Sequence, residues 1–248
     1  MARKNMLITG ASAGIGAATA KLAAEMGYDI GVNYRSDKIG AEAVANAVEA
    51  AGGRAMLLQG DVSNPADITR IFDTFDAFGR LQSLVNNAGI VMPMGRVEDI
   101  SFERLRDIFD VNVIGSFLCA KEAIARMSKR AGGRGGSIVN LTSVAAKLGS
   151  PDMFVDYAAT KGAIDSFTTG LALEQAAEGV RVNAVRPGII DTEIHAKGHD
   201  PDRVARVGHS IPMQRAGTAR EVAEAILWLT SDQASYVTGT TIDVSGGR

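Results

Sequence analysis

The chain has 248 residues, of which 46% are hydrophobic and 22% are charged. This is ordinary globular composition, and the length allows one large core, so we expect a single α/β domain over residues 1–248. The formal net charge is -2 with both signs scattered, which excludes a basic stripe for nucleic acid and a cationic amphipathic helix for a membrane. The expected partner is therefore a small molecule.

The amino terminus and the cysteine content indicate the compartment. The first apolar run, Met6 to Ile8, is far shorter than a signal-peptide core, and no run approaches the roughly 20 apolar residues of a membrane span. Cys119 is the only cysteine, which excludes an internal disulfide framework. Because it lies in an apolar helical pattern, we interpret it as a small buried hydrophobe. A reducing, cytoplasmic setting is expected.

Short apolar runs alternate with helical patterns along the chain. The runs predict strands at residues 5–9, 29–34, 55–59, 83–86, 137–141, 181–186 and 241–244. The helical patterns lie at residues 14–26, 38–51, 65–78, 102–129, 157–178 and 221–229. Strict β/α alternation predicts a doubly wound parallel sheet covered on both faces. Ligands of such sheets bind beyond the carboxyl ends of the strands, where this chain carries its chemically distinctive residues.

A glycine-rich loop joins the first predicted strand to the first predicted helix. Gly10, Gly14 and Gly16 would let the backbone amides approach a pyrophosphate at the positive end of the helix. The spacing is T-G-x-x-x-G-I-G rather than G-x-G-x-x-G. The loop predicts a dinucleotide site, and a turn without a ligand is the alternative.

The end of the second predicted strand bears on the choice of dinucleotide. Folds that prefer NAD place Asp or Glu here, about 20 residues after the loop, to hold the ribose 2′-hydroxyl. This chain has Arg35 and Ser36, which would suit a 2′-phosphate and favour NADP(H). Asp37 and the neutral Ala13 weigh against that preference, so NAD(H) stays possible. The alternative for Arg35 is a solvated turn residue.

Tyr157 and Lys161 lie four apart on a predicted helix and therefore share one face. Free tyrosine titrates near pH ~10, and a fixed cation nearby lowers that value. We expect this pair to exchange a proton with a carbonyl oxygen. Tyr34 and Lys38 have the same spacing, but they lie where a strand runs into a polar turn, so extended chain points them apart.

Several separated motifs occur in a fixed order along the chain. They are Thr9-Gly-x-x-x-Gly-Ile-Gly16, Asp61-Val62, Asn86-Asn-Ala-Gly89, Asn112, Ser143, Tyr157-x-x-x-Lys161, Pro187-Gly188 and Asp243-Val-Ser-Gly-Gly247. On these motifs the whole chain resembles the short-chain dehydrogenase/reductase family, and most of all its bacterial branch with glucose dehydrogenases and 3-oxoacyl-carrier-protein reductases. The resemblance implies a Rossmann domain with a seven-stranded sheet of order 3-2-1-4-5-6-7. It also implies hydride transfer between a nicotinamide and a carbonyl or secondary alcohol.

The resemblance implies a catalytic tetrad of Asn112, Ser143, Tyr157 and Lys161. Ser143 would polarise the substrate oxygen, and Tyr157 would give it a proton. Lys161 would hold the nicotinamide ribose and lower the tyrosine pKa, while Asn112 would hold a water that links the lysine to solvent. Taken singly, Ser143 could cap a turn and Asn112 could satisfy buried backbone. The implied cofactor contacts are Gly10, Ser12, Gly14, Ile15, Gly16, Arg35, Ser36, Asp61, Val62, Asn87, Gly89, Tyr157, Lys161, Pro187, Gly188, Ile190 and Thr192.

The family resemblance also places a substrate loop at residues 193–210 and further pocket walls at residues 90–96 and 144–156. These segments are partly apolar, although Lys147, Arg96 and the histidines could equally meet an acidic or hydroxylated substrate. Related enzymes are usually tetramers built through the helix of Tyr157. The small residues of that helix would permit close approach, so we predict a homotetramer.

The histidines and the alternative functions are considered last. His195, His199 and His209 are interpreted as a surface segment, and no metal is predicted. The favoured function is an NADP-dependent carbonyl reductase or alcohol dehydrogenase, for example a 3-oxoacyl thioester reductase or a sugar dehydrogenase. A catalytically silent NAD(P) sensor is the first alternative. A sugar-nucleotide epimerase or dehydratase is the second, and it would normally need an added substrate domain.

Overall fold

The computed structural model describes residues 3–192 and 206–248. Its strands are β1 (Lys4–Ile8), β2 (Tyr28–Tyr34), β3 (Ala55–Gln59), β4 (Leu81–Asn86), β5 (Gly136–Leu141), β6 (Val180–Pro187), β7 (Ile190–Asp191), β8 (Gly217–Thr218) and β9 (Thr241–Val244). Seven of them form one sheet in the order β3-β2-β1-β4-β5-β6-β9, with every neighbouring pair parallel. Strands β7 and β8 pair with each other outside it. The predicted seventh strand is β9, so the predicted order is confirmed.

Helices cover both faces of this sheet. They are α1 (Gly14–Glu25), α2 (Lys38–Ala50), α3 (Pro65–Asp76), α4 (Phe102–Phe109), α5 (Gly115–Met127), α6 (Ala145–Leu148), α7 (Val155–Gln175) and α8 (Ala219–Thr230). Short 3-10 turns lie at Val97–Asp99, Lys129–Ala131, Gly208–Ser210 and Asp232–Ala234. Within the described residues, no helix combines the length and the apolar character that crossing a bilayer requires.

The core is split by the sheet, as the two-residue period of a strand requires. On β1, Ile8 packs into a cluster with α1, α2 and α8, whereas Leu7 packs into the opposite cluster with α3, α5 and α7. Both side chains are fully buried, and so is Phe72 in the second cluster. The near-continuous apolar strands predicted from the sequence thus reflect burial on both faces.

One predicted helix differs from the structure. Residues 102–129 were expected to form a single helix, but a π-helical turn at Asp110–Ile114 separates α4 from α5. A π turn adds a residue to the helical repeat and rotates the helix that comes after it, and such turns are frequent at functional sites. It carries the buried Asn112. Hydrophobic periodicity is too coarse to detect one wider turn. The predicted substrate loop lies outside the described residues at positions 193–205.

Candidate active site

A cleft lies beyond the carboxyl ends of the parallel strands, as the fold predicts. Of the predicted site residues, only Gly16 and Asn112 lie outside its lining. The predicted residues that line it are Gly10, Ser12, Gly14, Ile15, Arg35, Ser36, Asp61, Val62, Asn87, Gly89, Ser143, Tyr157, Lys161, Pro187, Gly188, Ile190 and Thr192.

Two asparagines brace the glycine-rich loop. Gly10 has φ +61°, and a Cβ on it would lie 2.9 Å from the Cα of Ala88, so glycine is required there. The Gly10 amide donates to Asn33 Oδ1 at 3.2 Å, and Asn87 Nδ2 donates to the Gly10 carbonyl at 2.9 Å. Sequence reasoning missed Asn33. Its signal is an amide side chain inside a fully buried strand, β2.

The first turn of α1 is open to an anion. Its N-cap is Ala13, and no side chain caps the helix. By contrast α2, α3, α4 and α8 are each capped by a side chain, from Asp37, Asn64, Ser101 and Thr218. The amides of an uncapped first turn need another acceptor, and a phosphate at the positive end of the helix provides one. The loop and α1 therefore fit a pyrophosphate.

The end of β2 presents a cation whose nearest acid comes from another strand. Arg35 is exposed, and its Nη1 lies 3.6 Å from Asp61 Oδ2. Asp37 also lines the cleft, and its Oδ1 accepts the Gly40 amide at 2.9 Å as the cap of α2. The acidic residue that weighed against a 2′-phosphate thus caps a helix and keeps its charge at this end of the cleft.

Three members of the predicted tetrad meet on one wall of the cleft. Ser143 follows β5, and its side chain acts on the Tyr157 phenol from α7 so as to lower the pKa of that group. Lys161 is buried one turn further along α7, where its Nζ donates to the Leu141 carbonyl at 2.8 Å and lies 5.5 Å from the centre of the Tyr157 ring. The tyrosine hydroxyl therefore belongs to the cleft.

Asn112 stands behind that wall and is held by three hydrogen bonds. Its Oδ1 accepts the Ile90 amide at 2.8 Å, and its Nδ2 donates to the Ile90 carbonyl at 3.0 Å and to Thr160 Oγ1 at 3.1 Å. It thus satisfies buried backbone. It also lies beside the lysine, since a Cβ on Gly89 would be 3.3 Å from Asn112 Oδ1 and 3.5 Å from Lys161 Nζ. Thr160 was not predicted, although it shares the helix of the tyrosine.

Burial moves the pKa values of the tyrosine and the lysine in opposite directions. Loss of solvent raises the pKa of Tyr157 to about 12, and the hydrogen bond from Ser143 opposes this only in part. Burial likewise lowers the pKa of Lys161 to about 8, against the attraction of Asp165. The net shift of the tyrosine is upward, so the lowered pKa expected from the sequence is wrong for the protein alone. Desolvation dominates, and only Ser143 opposes it.

Comparison with known proteins identifies the family. A family model described as "Enoyl-(Acyl carrier protein) reductase" matches residues 10–248. A short-chain type dehydrogenase/reductase from Mycobacterium marinum superposes with a TM-score of 0.92 at 34% identity, over 98% of this chain and 94% of that one. This chain belongs to the short-chain dehydrogenase/reductase family. The resemblance drawn from the motifs is confirmed, and the chain is an NAD(P)-dependent oxidoreductase.

Two curated relatives of this dehydrogenase/reductase cover it almost completely. The uncharacterized oxidoreductase YgfF of Escherichia coli is 53% identical over 98% of this chain and 98% of its own. The 3beta-hydroxysteroid dehydrogenase 1 of Eggerthella lenta is 42% identical over 98% of this chain and 93% of its own.

Several residues of the cleft lining are apolar in this dehydrogenase/reductase. Ile90, Val91, Leu148 and Phe154 are among them, and Ser150 lies in the same lining. These residues come from the two wall segments predicted from the sequence. Met92, Met94 and Met153 belong to the same segments but not to the lining.

The remaining nucleophile and histidines lie apart from the cleft or outside the described residues. Cys119 is buried, and burial raises the pKa of its thiol to about 12, which makes it unreactive. Across residues 3–192 and 206–248, no group of three or more His, Cys, Asp or Glu side chains could hold a metal ion. His209 lies in that range, whereas His195 and His199 do not.

Proposed function

We propose that this protein is an NADP(H)-preferring oxidoreductase that interconverts a carbonyl and a secondary alcohol on a small substrate, with Tyr157 as the acid/base. One observation carries the proposal. Tyr157, Ser143 and Lys161, which follows the tyrosine by one helical turn, line the same cleft as the uncapped start of α1.

The whole chain would act as one NAD(P)-binding unit around this cleft. The glycine-rich loop and α1 would hold the pyrophosphate, Asp61 and Val62 the adenine, and Lys161 the nicotinamide ribose. Ile190 and Thr192, after β6, would bind the carboxamide. Gly89 leaves the room that a side chain would fill between Asn112 and Lys161. When bound, the nicotinamide supplies or accepts the hydride.

The side chains of the protein handle the proton. Ser143 donates a hydrogen bond to the substrate oxygen, and Tyr157 gives that oxygen its proton during reduction. Because burial keeps the pKa of Tyr157 near 12, the residue is fully protonated at neutral pH and ready to act as an acid. Lys161, with a pKa near 8, exchanges protons close to neutrality and can return a proton to the tyrosine after the reaction. Asn112 fixes the backbone beside this lysine.

A tyrosine substitution tests the acid. Tyr157→Phe removes the hydroxyl and keeps the ring, so we expect turnover to fall by at least ~10²-fold while coenzyme binding stays nearly intact. Tyr236→Phe is the matched control, because Tyr236 is fully exposed and does not line the cleft. NADPH and NADH oxidation should be followed with ketones, aldoses, 3-oxoacyl thioesters, diketones and quinones. A fully active Tyr157→Phe enzyme refutes the role, and tight coenzyme binding without any turnover supports the sensor alternative.

Coenzyme choice is tested at Arg35. A guanidinium that binds a 2′-phosphate contributes roughly 1.5–3 kcal/mol, so Arg35→Ala should lower kcat/KM for NADPH by about 10–100-fold and leave NADH unchanged. Arg130→Ala removes an equally exposed arginine on a distant turn and should change neither. Equal efficiency with both coenzymes in the wild type, unaltered by Arg35→Ala, contradicts the preference.

The apolar lining favours a substrate with hydrocarbon bulk next to the reacting carbon. The hydroxysteroid dehydrogenase among the relatives carries such a substrate in its name, which supports this direction. Hydrophobic ketones and secondary alcohols should therefore have lower KM values than aldoses in the panel. The reverse ranking would favour a sugar dehydrogenase.

The proposal also includes two predictions, a homotetrameric assembly and a cytoplasmic location. Exposed apolar side chains on α4, α5 and α7, namely Phe102, Phe117 and Leu173, support burial between copies in a homotetramer. Light scattering at micromolar concentration should give four chains, and a monomer would contradict it. Cell fractionation tests the cytoplasmic location.

A further inference from the structure

A chain of ion pairs runs from α6 to the helix that carries Lys161. Lys147 Nζ on α6 lies 2.5 Å from Asp243 Oδ2 on β9. The other oxygen of Asp243 lies 2.6 Å from Arg186 Nη1 on β6, its partner in the sheet register. Arg186 Nη2 then lies 2.7 Å from Asp165 Oδ2 on α7. The chain thus joins four elements and ends one helical turn from the lysine.

Burial increases toward the centre of this chain. The exposed fraction of the side chain is 54% for Lys147, 33% for Asp243, 10% for Arg186 and 23% for Asp165. Within this group of described residues, two buried atoms have no hydrogen-bond partner, Asp165 Oδ1 and Arg186 Nε. A buried ion pair gives little net stability, and unpartnered atoms within it cost free energy. Stability alone is therefore a weak reason for this arrangement.

Asp165 is the charged residue whose attraction acts on Lys161. The two residues are four apart on α7 and share a face, and the unpartnered Oδ1 leaves part of the carboxylate charge uncompensated by Arg186. That charge opposes the effect of burial on the pKa of Lys161.

Three other groups of the described residues contact or flank the Lys161 ammonium, and none of them carries a formal charge at neutral pH. Leu141 contributes a carbonyl from β5, Asn112 an amide from the π turn, and Tyr157 a protonated phenol from α7. Arg186 on β6, Asp243 on β9 and Lys147 on α6 are the charged residues that connect to Asp165. They influence Lys161 by way of the Asp165 carboxylate.

We propose that Asp165, held in place by Arg186, is a positioning residue that keeps the ammonium form of Lys161 available for proton transfer. Asp165 does not line the cleft, so it acts through the lysine and not on substrate or cofactor. Its catalytic consequence rests on the proposed function. The electrostatic effect itself does not.

Paired substitutions predict shifts of opposite sign. Asp165→Asn removes a negative charge and leaves Arg186 unbalanced, and both changes disfavour the ammonium, so the Lys161 titration should move about one pH unit lower. Arg186→Gln frees two carboxylates and should move it higher. Arg186→Lys keeps the charge and should restore the wild-type value. Lys121→Gln, at an exposed position of α5 outside the cleft, is the control and should have little effect.

Two measurements should be made on each variant. The first is the pH profile of kcat/KM for carbonyl reduction, whose alkaline limb should follow the lysine. The second is the pH titration of the 13C-labelled Lys161 Cε resonance by NMR, identified by its loss in Lys161→Met, which requires no turnover.

The outcomes separate this proposal from the proposed function. Opposite shifts of the NMR midpoint in Asp165→Asn and Arg186→Gln support the proposal, whereas shifts of the same sign, or none, overturn it. If the wild type shows no turnover, the proposed function fails, and the NMR midpoints still decide about Asp165. If Asp165→Asn does not fold, an upward shift in Arg186→Gln supports the proposal, and a downward shift or none overturns it.

Discussion

The free energy of unfolding of Lys161→Met, compared with that of the wild type at the same pH, should be relatively higher at neutral pH than at alkaline pH. Burial lowers the pKa of this lysine from 10.5 to about 8. Between these values the unfolded chain binds more protons than the folded one, so the stability of the wild type rises with pH across that window. The cost of the buried charge is fully present below pH 8 and disappears above pH 10.5. Methionine has a similar length and carries no charge.

The magnitude follows from the pKa difference. At pH 7 the buried ammonium costs about 3 kcal/mol, and at pH 9.5 about 1 kcal/mol. Methionine also leaves the Leu141 carbonyl without its 2.8 Å hydrogen bond, a loss of roughly 1–3 kcal/mol that is similar at both pH values. The advantage of Lys161→Met over the wild type should therefore fall by about 2 kcal/mol from pH 7 to pH 9.5.

Guanidinium chloride unfolding at the two pH values measures this difference. One protein concentration should be used throughout, because assembly adds a concentration-dependent contribution. Other titrating groups, such as Cys119, are present in both proteins and cancel in the comparison. Lys121→Met, at an exposed position on α5, is the control and should show no pH-dependent difference. A Lys161→Met advantage that stays constant, or grows, with pH would refute the burial argument.

Three further predictions concern the glycine loop, α8 and the thiol. Gly10→Ala should destabilise the protein and weaken NADPH binding, because the new Cβ would collide with Ala88 in addition to the strain of positive φ. Gly52→Ala is the control, because Gly52 has φ +78° and nothing lies within 4 Å of its Cβ position. Thermal melts should show a loss of only ~1–2 kcal/mol for Gly52→Ala. Glu221→Gln should cost roughly 1 kcal/mol at pH 7, because its carboxylate completes the capping box of α8 with Thr218. Hydrogen bonds from Arg215 and from the Thr218 backbone lower the pKa of Glu221 to about 2, so the stability that this carboxylate contributes is present above pH 4.5 and is lost as the pH falls toward 2. An unchanged acid-unfolding curve would contradict this. Cys119 should resist a disulfide reagent at pH 8 until the protein unfolds, and rapid labelling of the native protein would show that the thiol is accessible.

The sheet and the position of the cleft could be predicted because they follow from patterns that extend over many residues. Each strand is buried on both faces, as Leu7 and Ile8 show, so the apolar runs are continuous and regularly spaced. The parallel connections then bring the ends of β1, β4 and β5 together. The residues after them meet in one cleft without further information.

Features that depend on a single turn could not be predicted. The π turn around Asn112 changes the helical repeat for only five residues, Asp110–Ile114, and α6 has only four. Both are shorter than the window in which a periodic pattern can be detected. The support that Asn33 gives to the glycine loop depends on a contact between β2 and β1, which the order of residues along the chain does not reveal.

The upward shift of the Tyr157 pKa shows which electrostatic effect can be predicted from sequence spacing and which depends on the fold. The spacing of Tyr157 and Lys161 fixes their attraction, and that much is visible in the sequence. Desolvation depends on the walls that surround them, and in the structure it dominates for both groups. Of these two groups, Lys161 is therefore the one that titrates closer to neutrality in the free protein. An alkaline limb of kcat/KM near pH 8 would report this lysine, because that ratio reflects the free enzyme. Asp165→Asn should then displace the limb, whereas a limb that belonged to Tyr157 would lie near pH 12 and stay unmoved.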